Sequence, residues 1–472
     1  LRGDDGTDLS RYGAAQYGQK DGTPYSTLQR KMMKKLGLGL LGLLIAGAMY
    51  YFTVGSKQIT SLLQQQLNTE LTQMQTQGFT VSDATTTDNT QHFTVMLDDP
   101  KKALPYLKQK GLVMAEEDLA QLQGAKLGVD VLYEHTGVGF DLYPVSLPQS
   151  LYADADESDK KLLQQLEAMM TKKAFLVHAE VDPSGTAFTG NMKDINETLQ
   201  GEGETIRFSS KGLDFKGTLD NTEIKNLTQS LDSLGIETSD DIHIQLLGLQ
   251  STYASTGATA YDYTTQYSMQ TLKIQGGTEG SVLADGFSMQ ADSTVKEGLL
   301  QETLHTKTKS IKMLGGAEEL VFENTALDIK INNLHLNAFE KLQNADPQNQ
   351  AEMQAILQQI VSKNVQFELT NLSADTVVLE NERLNGFTMN ANLAVDKSLD
   401  IANLQINPMT ALESIKTNLN LSLSKALFEK LSTYPDLSLV GMLVQPEIAN
   451  DTYTYRLELK NGDLLVNGKS LQ

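Results

Sequence analysis

The sequence predicts an α+β fold dominated by β structure: one or more long antiparallel twisted sheets with covering helices, behind a single N-terminal transmembrane helix. Three observations predict it. Apolar and polar residues alternate with period two over much of the chain. One run of residues near the start carries no charge. Two stretches in the second half read as copies of one strand–turn–strand unit. The chain has 472 residues, enough for roughly two to four domains.

The uncharged run is residues 36–55, LGLGLLGLLIAGAMYYFTVG. As a helix it spans about 30 Å, the thickness of a bilayer core. Leu40, Leu41, Leu43, Leu44 and Ile45 form its apolar centre. Arg30, Lys31, Lys34 and Lys35 precede it, so the positive-inside rule keeps the N-terminus cytoplasmic and exports the chain beyond residue 55. Tyr50, Tyr51 and Phe52 lie where an aromatic belt would sit. A cleaved signal peptide, with Ala46-Gly47-Ala48 as its processing site, is the rival reading. The apolar run continues through Val54, which favours an uncleaved anchor. Gly37, Gly39 and Gly42 match a dinucleotide fingerprint only in spacing, because no strand precedes them. Residues 1–35, polar and Gly-rich, read as a cytoplasmic tail or as an extension upstream of a start at Met32 or Met33.

After the anchor, Ile59, Leu62, Leu63, Leu67, Leu71 and Met74 share one helical face, and Gly78 stops the helix. The period then becomes two. Phe93, Val95 and Leu97 alternate with polar residues, as do Leu127, Val129, Val131 and Tyr133, and Phe175, Val177, Ala179 and Val181. Residues 260–275, 318–334 and 451–468 read as long strands or hairpins, the last turning at Asn461-Gly462. Helices are expected near 100–122, 156–173, 222–234, 338–362 and 424–432, with Pro347 breaking the fourth. The region boundaries fall at 56–235, an N-terminal α+β part, and 236–472, a part built of repeated long hairpins.

The repeat aligns 267–293 with 367–393. Gly286-Phe287-Ser288-Met289-Gln290-Ala291 matches Gly386-Phe387-Thr388-Met389-Asn390-Ala391. Phe287, Met289, Phe387 and Met389 are therefore expected on equivalent strands, facing the covered side of the sheet.

Composition excludes several functions. With 59 acidic and 38 basic residues the net charge is −21, the wrong sign for phosphate-mediated nucleic-acid binding. Without cysteine there is no disulfide, thiolate nucleophile or iron–sulfur cluster. Six histidines stand apart, at 92, 135, 178, 243, 305 and 335, and none has zinc-hydrolase spacing. Asp154, Asp156, Ser158 and Asp159 lack the glycine and the final glutamate of a calcium loop. No catalytic, cofactor or metal residue stands out.

The pattern resembles the YdgA-like family of bacterial envelope proteins. It does so through Met33-Lys34-Lys35 and the apolar span with Gly55-Ser56-Lys57-Gln58, through Ile415-Lys416-Thr417-Asn418-Leu419 to Ala426-Leu427, and through the ending Asn461 to Lys469. The resemblance implies an inner-membrane anchor and a periplasmic β-rich body, and it supplies no catalytic residue. Two functions remain in view. One is a non-enzymatic envelope protein whose sheet holds a lipid or another apolar ligand, pairs with a second copy of the chain, or acts as a scaffold. The other is a periplasmic hydrolase using an Asp/Glu pair brought together by folding.

Overall fold

The structure, a computed structural model, describes residues 60–109, 115–153, 155, 157–201, 205–220, 223–277, 280–315, 318–345, 349–404, 409–434, 445–460 and 462–470. Its strands form one open sheet in which every pairing is antiparallel. β1 (Phe79–Thr86), β2 (Thr90–Leu97), β3 (Lys126–Glu134), β4 (Gly137–Ser146), β5 (Val177–Val181) and β6 (Ala187–Met192) make a meander. β7 (Ile195–Gln200) pairs with β8 (Thr205–Lys211), and β6 pairs with β9 (Asp214–Asp220). β8 and β9 lie end to end along one edge of β10 (Glu223–Thr238).

The long strands continue in chain order. They are β11 (Ile242–Ser255), β12 (Tyr263–Gly276), β13 (Gly280–Lys296), β14 (Leu299–Gly315), β15 (Glu318–His335), β16 (Gln366–Leu379), β17 (Glu382–Val395) and β18 (Ile415–Ser424). Each pairs with the next. The hairpin between β16 and β17 turns through Glu380 and Asn381, both at positive φ, as a two-residue type I′ turn requires. β19 (Glu447–Ala449) and β21 (Asp463–Val466) share the outer edge of β20 (Thr452–Lys460), and β22 (Lys469–Ser470) closes the sheet.

Ten described helices accompany the sheet. They are α1 (Thr60–Thr76), α2 (Pro100–Gln109), α3 (Glu116–Gln121), α4 (Ser150–Ala153), α5 (Glu157–Thr171), α6 (Leu336–Asn344), α7 (Gln350–Val361), α8 (Ile401–Leu404), α9 (Met409–Ser414) and α10 (Lys425–Leu431). Capping fixes three of their starts. His335 Nδ1 accepts from Ala338 N, Asn349 from Glu352 N, and Ser424 Oγ from Leu427 N.

The helices bury their apolar sides in four places. α1, α2 and α3 cover β1–β5 through Leu67, Leu71, Met74, Leu107 and Leu119. α5 packs Met169 on Ile195, Ile206 and Phe208. α6 and α7 pack Ala338, Ile356 and Ile360 on Leu300 and Leu334. α10 sets Leu427 against Ala374, Val377, Leu384 and Leu423.

Two expectations need correction. Within the stretch 222–234, expected to be a helix, the described residues from Glu223 on belong to strand β10. The cause is a step of three residues between its inward-facing Leu231 and Leu234, which imitates helical spacing. The expected boundary between residues 235 and 236 also falls inside β10, so the ladder runs through it. The apolar segment with Leu40, Leu41, Leu43, Leu44 and Ile45 lies outside the described residues. Among the described residues no helix is long and apolar enough to cross a membrane.

Candidate functional site: an uncovered apolar face

One transverse row of paired residues organises the sheet. It runs Gln91, Val131, Phe140, Ala179, Gly190, Phe215, Gln229, Ser251, Tyr267, Met289, Thr306, Leu327, Leu372, Met389, Leu421, Tyr455. Directly paired residues point to the same face, so all sixteen side-chain positions share one side. The ends of the row are buried under helices, with Val131 at 1 % exposure and Tyr455 at 6 %. In the middle Ser251 is buried, but Tyr267 beside it is 39 % exposed and Met289, Thr306 and Leu327 are half-buried.

A crease keeps this face apolar along the strands. Gly212, Gly248, Gly286 and Asn324 have φ of +67°, +62°, +64° and +52°. They stand in one row across alternate strands, at the points where the regular pairing is interrupted. Each strand there carries one residue that breaks the pleat. Because the break falls in the same row everywhere, the register is kept while the side-chain alternation shifts by one. Inward residues accordingly step by three across the crease: Leu246 to Leu249, Met269 to Leu272, Ala284 to Phe287, Ala374 to Val377, Leu384 to Phe387. Residues from both sides of the crease meet in one cluster, Ala374 and Leu423 from one side, Val377 and Leu384 from the other. Gly386 lies in the same row, and a Cβ there would drive into the Ala374 carbonyl oxygen.

The result is a broad apolar field. From β11 to β16 five inward rows contain no charged residue. They begin at Ile244, Leu246, Leu249, Ser251 and Tyr253 on β11. At ordinary strand dimensions the field measures about 30 Å by about 24 Å. None of the fully buried residues in the four clusters comes from β10, β11, β12 or β13. Ile274 and Val282 are 42 % and 37 % exposed.

The repeat residues fall within or beside it. Phe287 is on β13 and Phe387 on β17, in the same row next to the crease, and Met289 and Met389 share the transverse row of Val131 and Tyr267. All four are half-buried. The gapless alignment of 267–293 with 367–393 matches the register only in the second strands. Tyr267 pairs with Met289, whereas Phe367 pairs with Leu393. The residue in Tyr267's row is Leu372. The cause is length: past the crease each arm of the β16–β17 hairpin is two residues shorter than in the β12–β13 hairpin, and its turn is one shorter.

The opposite face is polar. Gln250, Ser268, Ser288 and Lys307 form one row, and Thr252, Gln266, Gln290, His305 and Asp328 the next. These residues, with Ser251, Tyr267 and Met289 of the row between them, line a shallow cavity of about 550 Å³. His305 Nδ1 lies 2.8 Å from Asp328 Oδ1.

Beside the helix-covered lobe the polar face carries an ion network. His92 Nδ1 lies 2.6 Å from Asp130, Lys173 Nζ donates to Asp130 at 2.7 Å, and His178 Nδ1 lies 2.7 Å from Asp141. Lys173 also sits 3.8 Å over the Tyr143 ring. Burial works to raise the Asp130 carboxyl, but Lys173 and His92 outweigh it and hold it below the usual range. Burial works to lower His178, but Asp141 and Glu180 outweigh it and raise it. Asp130 and Asp141 are directly paired on β3 and β4. They are a carboxylate pair that folding brings together, and both are engaged by neighbouring basic side chains. Among the described residues no group of His, Asp and Glu side chains is arranged to hold a metal ion.

These features define a class: an open antiparallel sheet with one charge-free face, covered by helices at its ends and bare in its middle. A family model described as "Bacterial protein of unknown function (DUF945)" matches residues 153–472. That is more than half of the chain, and the chain belongs to this family. The match takes in all the long strands and leaves out β1–β4. No curated protein and no solved structure matches the chain.

Proposed function

We propose that this is a YdgA-like envelope protein without catalytic activity, anchored in the bacterial inner membrane by residues 36–55. Its sheet stands in the periplasm and carries a lipid or another apolar ligand on the bare face. One observation carries the ligand reading: between β11 and β16 the five charge-free rows keep most of their side chains partly exposed, Ser251, Ala291, Thr308, Ala374 and Val377 being the buried ones, although the same rows are buried at the ends of the sheet. Covering them gains roughly 25 cal/mol for each Å² of apolar surface removed from water. Methionine at positions 269, 289 and 313 suits an adaptable apolar contact.

The anchor reading is supported by the uncharged run and its preceding Arg30, Lys31, Lys34 and Lys35. The hydrolase reading has less support, because the Asp130–Asp141 pair is tied up by His92, Lys173 and His178 and lines no part of the 550 Å³ cavity.

Lipid extraction and mass spectrometry of the detergent-purified protein test the proposal. A co-purifying apolar species in near-stoichiometric amount is the expected result, and extracts free of any such species count against it. Topology is tested separately. A C-terminal alkaline phosphatase fusion should be active, and activity from a cytoplasmic reporter at that position would refute export. Replacing Leu43 and Leu44 by arginine costs roughly 5–7 kcal/mol on the insertion scale. The variant should leave the membrane fraction.

A further inference from the structure

We infer that the polar face carries a second binding site, for a neutral oligosaccharide, in the cavity spanning β11 to β15. This inference is independent of the apolar-face reading. The cavity's volume of about 550 Å³ lies within the range of ligand sites, roughly 300–1,000 Å³. Its span over four strand spacings is about 19 Å, long and shallow as a chain of sugar rings requires.

The chemistry of the lining selects the ligand. Gln250 and Gln266 each present an amide that donates and accepts, Gln290 presents its carbonyl while its Nε2 donates to Asp292 Oδ2 at 2.8 Å, and Ser268 and Ser288 present hydroxyls that do both. A ligand whose polar groups are themselves hydroxyls matches such a surface at every point. Charge is nearly absent. Lys307 is the one Lys or Arg side chain of the lining, and Asp328 Oδ1 lies 2.8 Å from His305 Nδ1. In a chain of net charge −21 this neutrality stands out, and it disfavours a phosphate or a carboxylate as the main determinant.

The lining is also open for bonding. The side chains of Gln250, Gln266, Ser268, Ser288 and Lys307 bond to no other side chain among the described residues. Neighbouring polar positions on the same face are paired, Thr264 with Asp292 at 2.6 Å and Thr271 with Asp285 at 2.8 Å. An extended peptide fits less well, because the backbone groups of interior strands are already used in the ladders and the face offers side chains only.

The test is titration of the full chain in detergent with the tetramer of N-acetylglucosamine and with maltotetraose, read by saturation-transfer NMR and calorimetry. At least one should bind at millimolar concentration or tighter, and the Gln266→Ala/Gln290→Ala double variant should weaken that binding tenfold or more. Phe287→Leu, on the other face and outside the cavity's lining, should leave it unchanged. Failure of both sugars to bind, or binding indifferent to the double variant, overturns the proposal. So does a Gly/Ser-rich peptide that binds more tightly than either sugar with the same sensitivity to the double variant. Circular dichroism of the double variant should match the parent, since both side chains are on the surface.

Discussion

Val131 and Tyr267 occupy one transverse row on one face of one sheet, yet Val131 is 1 % exposed and Tyr267 39 %. Their strands share the same alternation. What differs is the partner. Over β3 the chain supplies α1, α2 and α3; over β12 no cluster residue lies on top. The comparison teaches that alternation alone says which face is apolar, and not whether that face belongs to the core. The family match begins at residue 153, after the helix-covered meander, so the bare sheet lies within the part the family shares.

The contrast can be broken by mutation. The largest effect is expected in the covered lobe. Leu107, at 1 % exposure on α2, should cost about 2–5 kcal/mol when replaced by alanine. Leu272→Ala, on the bare face, should cost less, about 1.5 kcal/mol, since its side chain is only partly buried. Urea unfolding curves of the two variants measure the difference, and equal losses would mean that the central sheet is packed.

The crease comes next. Gly286→Ala places a side chain at φ +64° and brings its Cβ to 3.0 Å from Lys309 Cβ. A loss of about 1–2 kcal/mol is expected. Gly386→Ala should lose more, because its Cβ would meet backbone rather than a side chain that can yield. An alanine at Gly286 without cost would show that the crease is not needed.

Phe287 and Phe387 sharpen the comparison within one row. Phe387 packs against the cluster under α10, and Phe287 joins no cluster. Phe387→Ala should therefore destabilise more than Phe287→Ala. Phe287→Ala should instead weaken binding of an apolar fluorescent probe.

The smallest effect is electrostatic. The folded-state pKa of His178 is raised by Asp141 and Glu180. A raised pKa means that the charged histidine stabilises the fold. That stabilisation is fully present below about pH 6, the lower side of the ordinary histidine range. It fades as the pH rises through the raised value. His178→Asn should lower the unfolding midpoint at about pH 5.5 and leave it nearly unchanged at about pH 8.5.

Much of this fold is legible in the alternation of Phe93, Val95 and Leu97 or of Tyr263, Tyr267 and Met269. The long hairpins and the helices at 100–122, 156–173, 338–362 and 424–432 follow from periodicity and turn chemistry. The crease escapes a reading by period alone, though it leaves a signal. Leu246-Leu247-Gly248-Leu249, Ala284-Asp285-Gly286-Phe287 and Leu384-Asn385-Gly386-Phe387 each change parity across a glycine. At Leu227, Leu231 and Leu234 the same change produces spacings of four and three, which read as helix in a strand. The cavity on the polar face is not legible, because Gln250, Gln266, Gln290 and His305 come together only through cross-strand pairing.

The central claim, that the bare face and not its reverse meets an apolar ligand, is tested most directly by photocrosslinking at neighbouring positions of β13. Met289→benzoylphenylalanine faces the apolar field and Gln290→benzoylphenylalanine the polar side. Irradiation in membranes, followed by mass spectrometry of the purified protein, should give a lipid-sized or other apolar adduct at position 289 and none at 290. Equal adducts at both positions, or none at 289, would contradict the account.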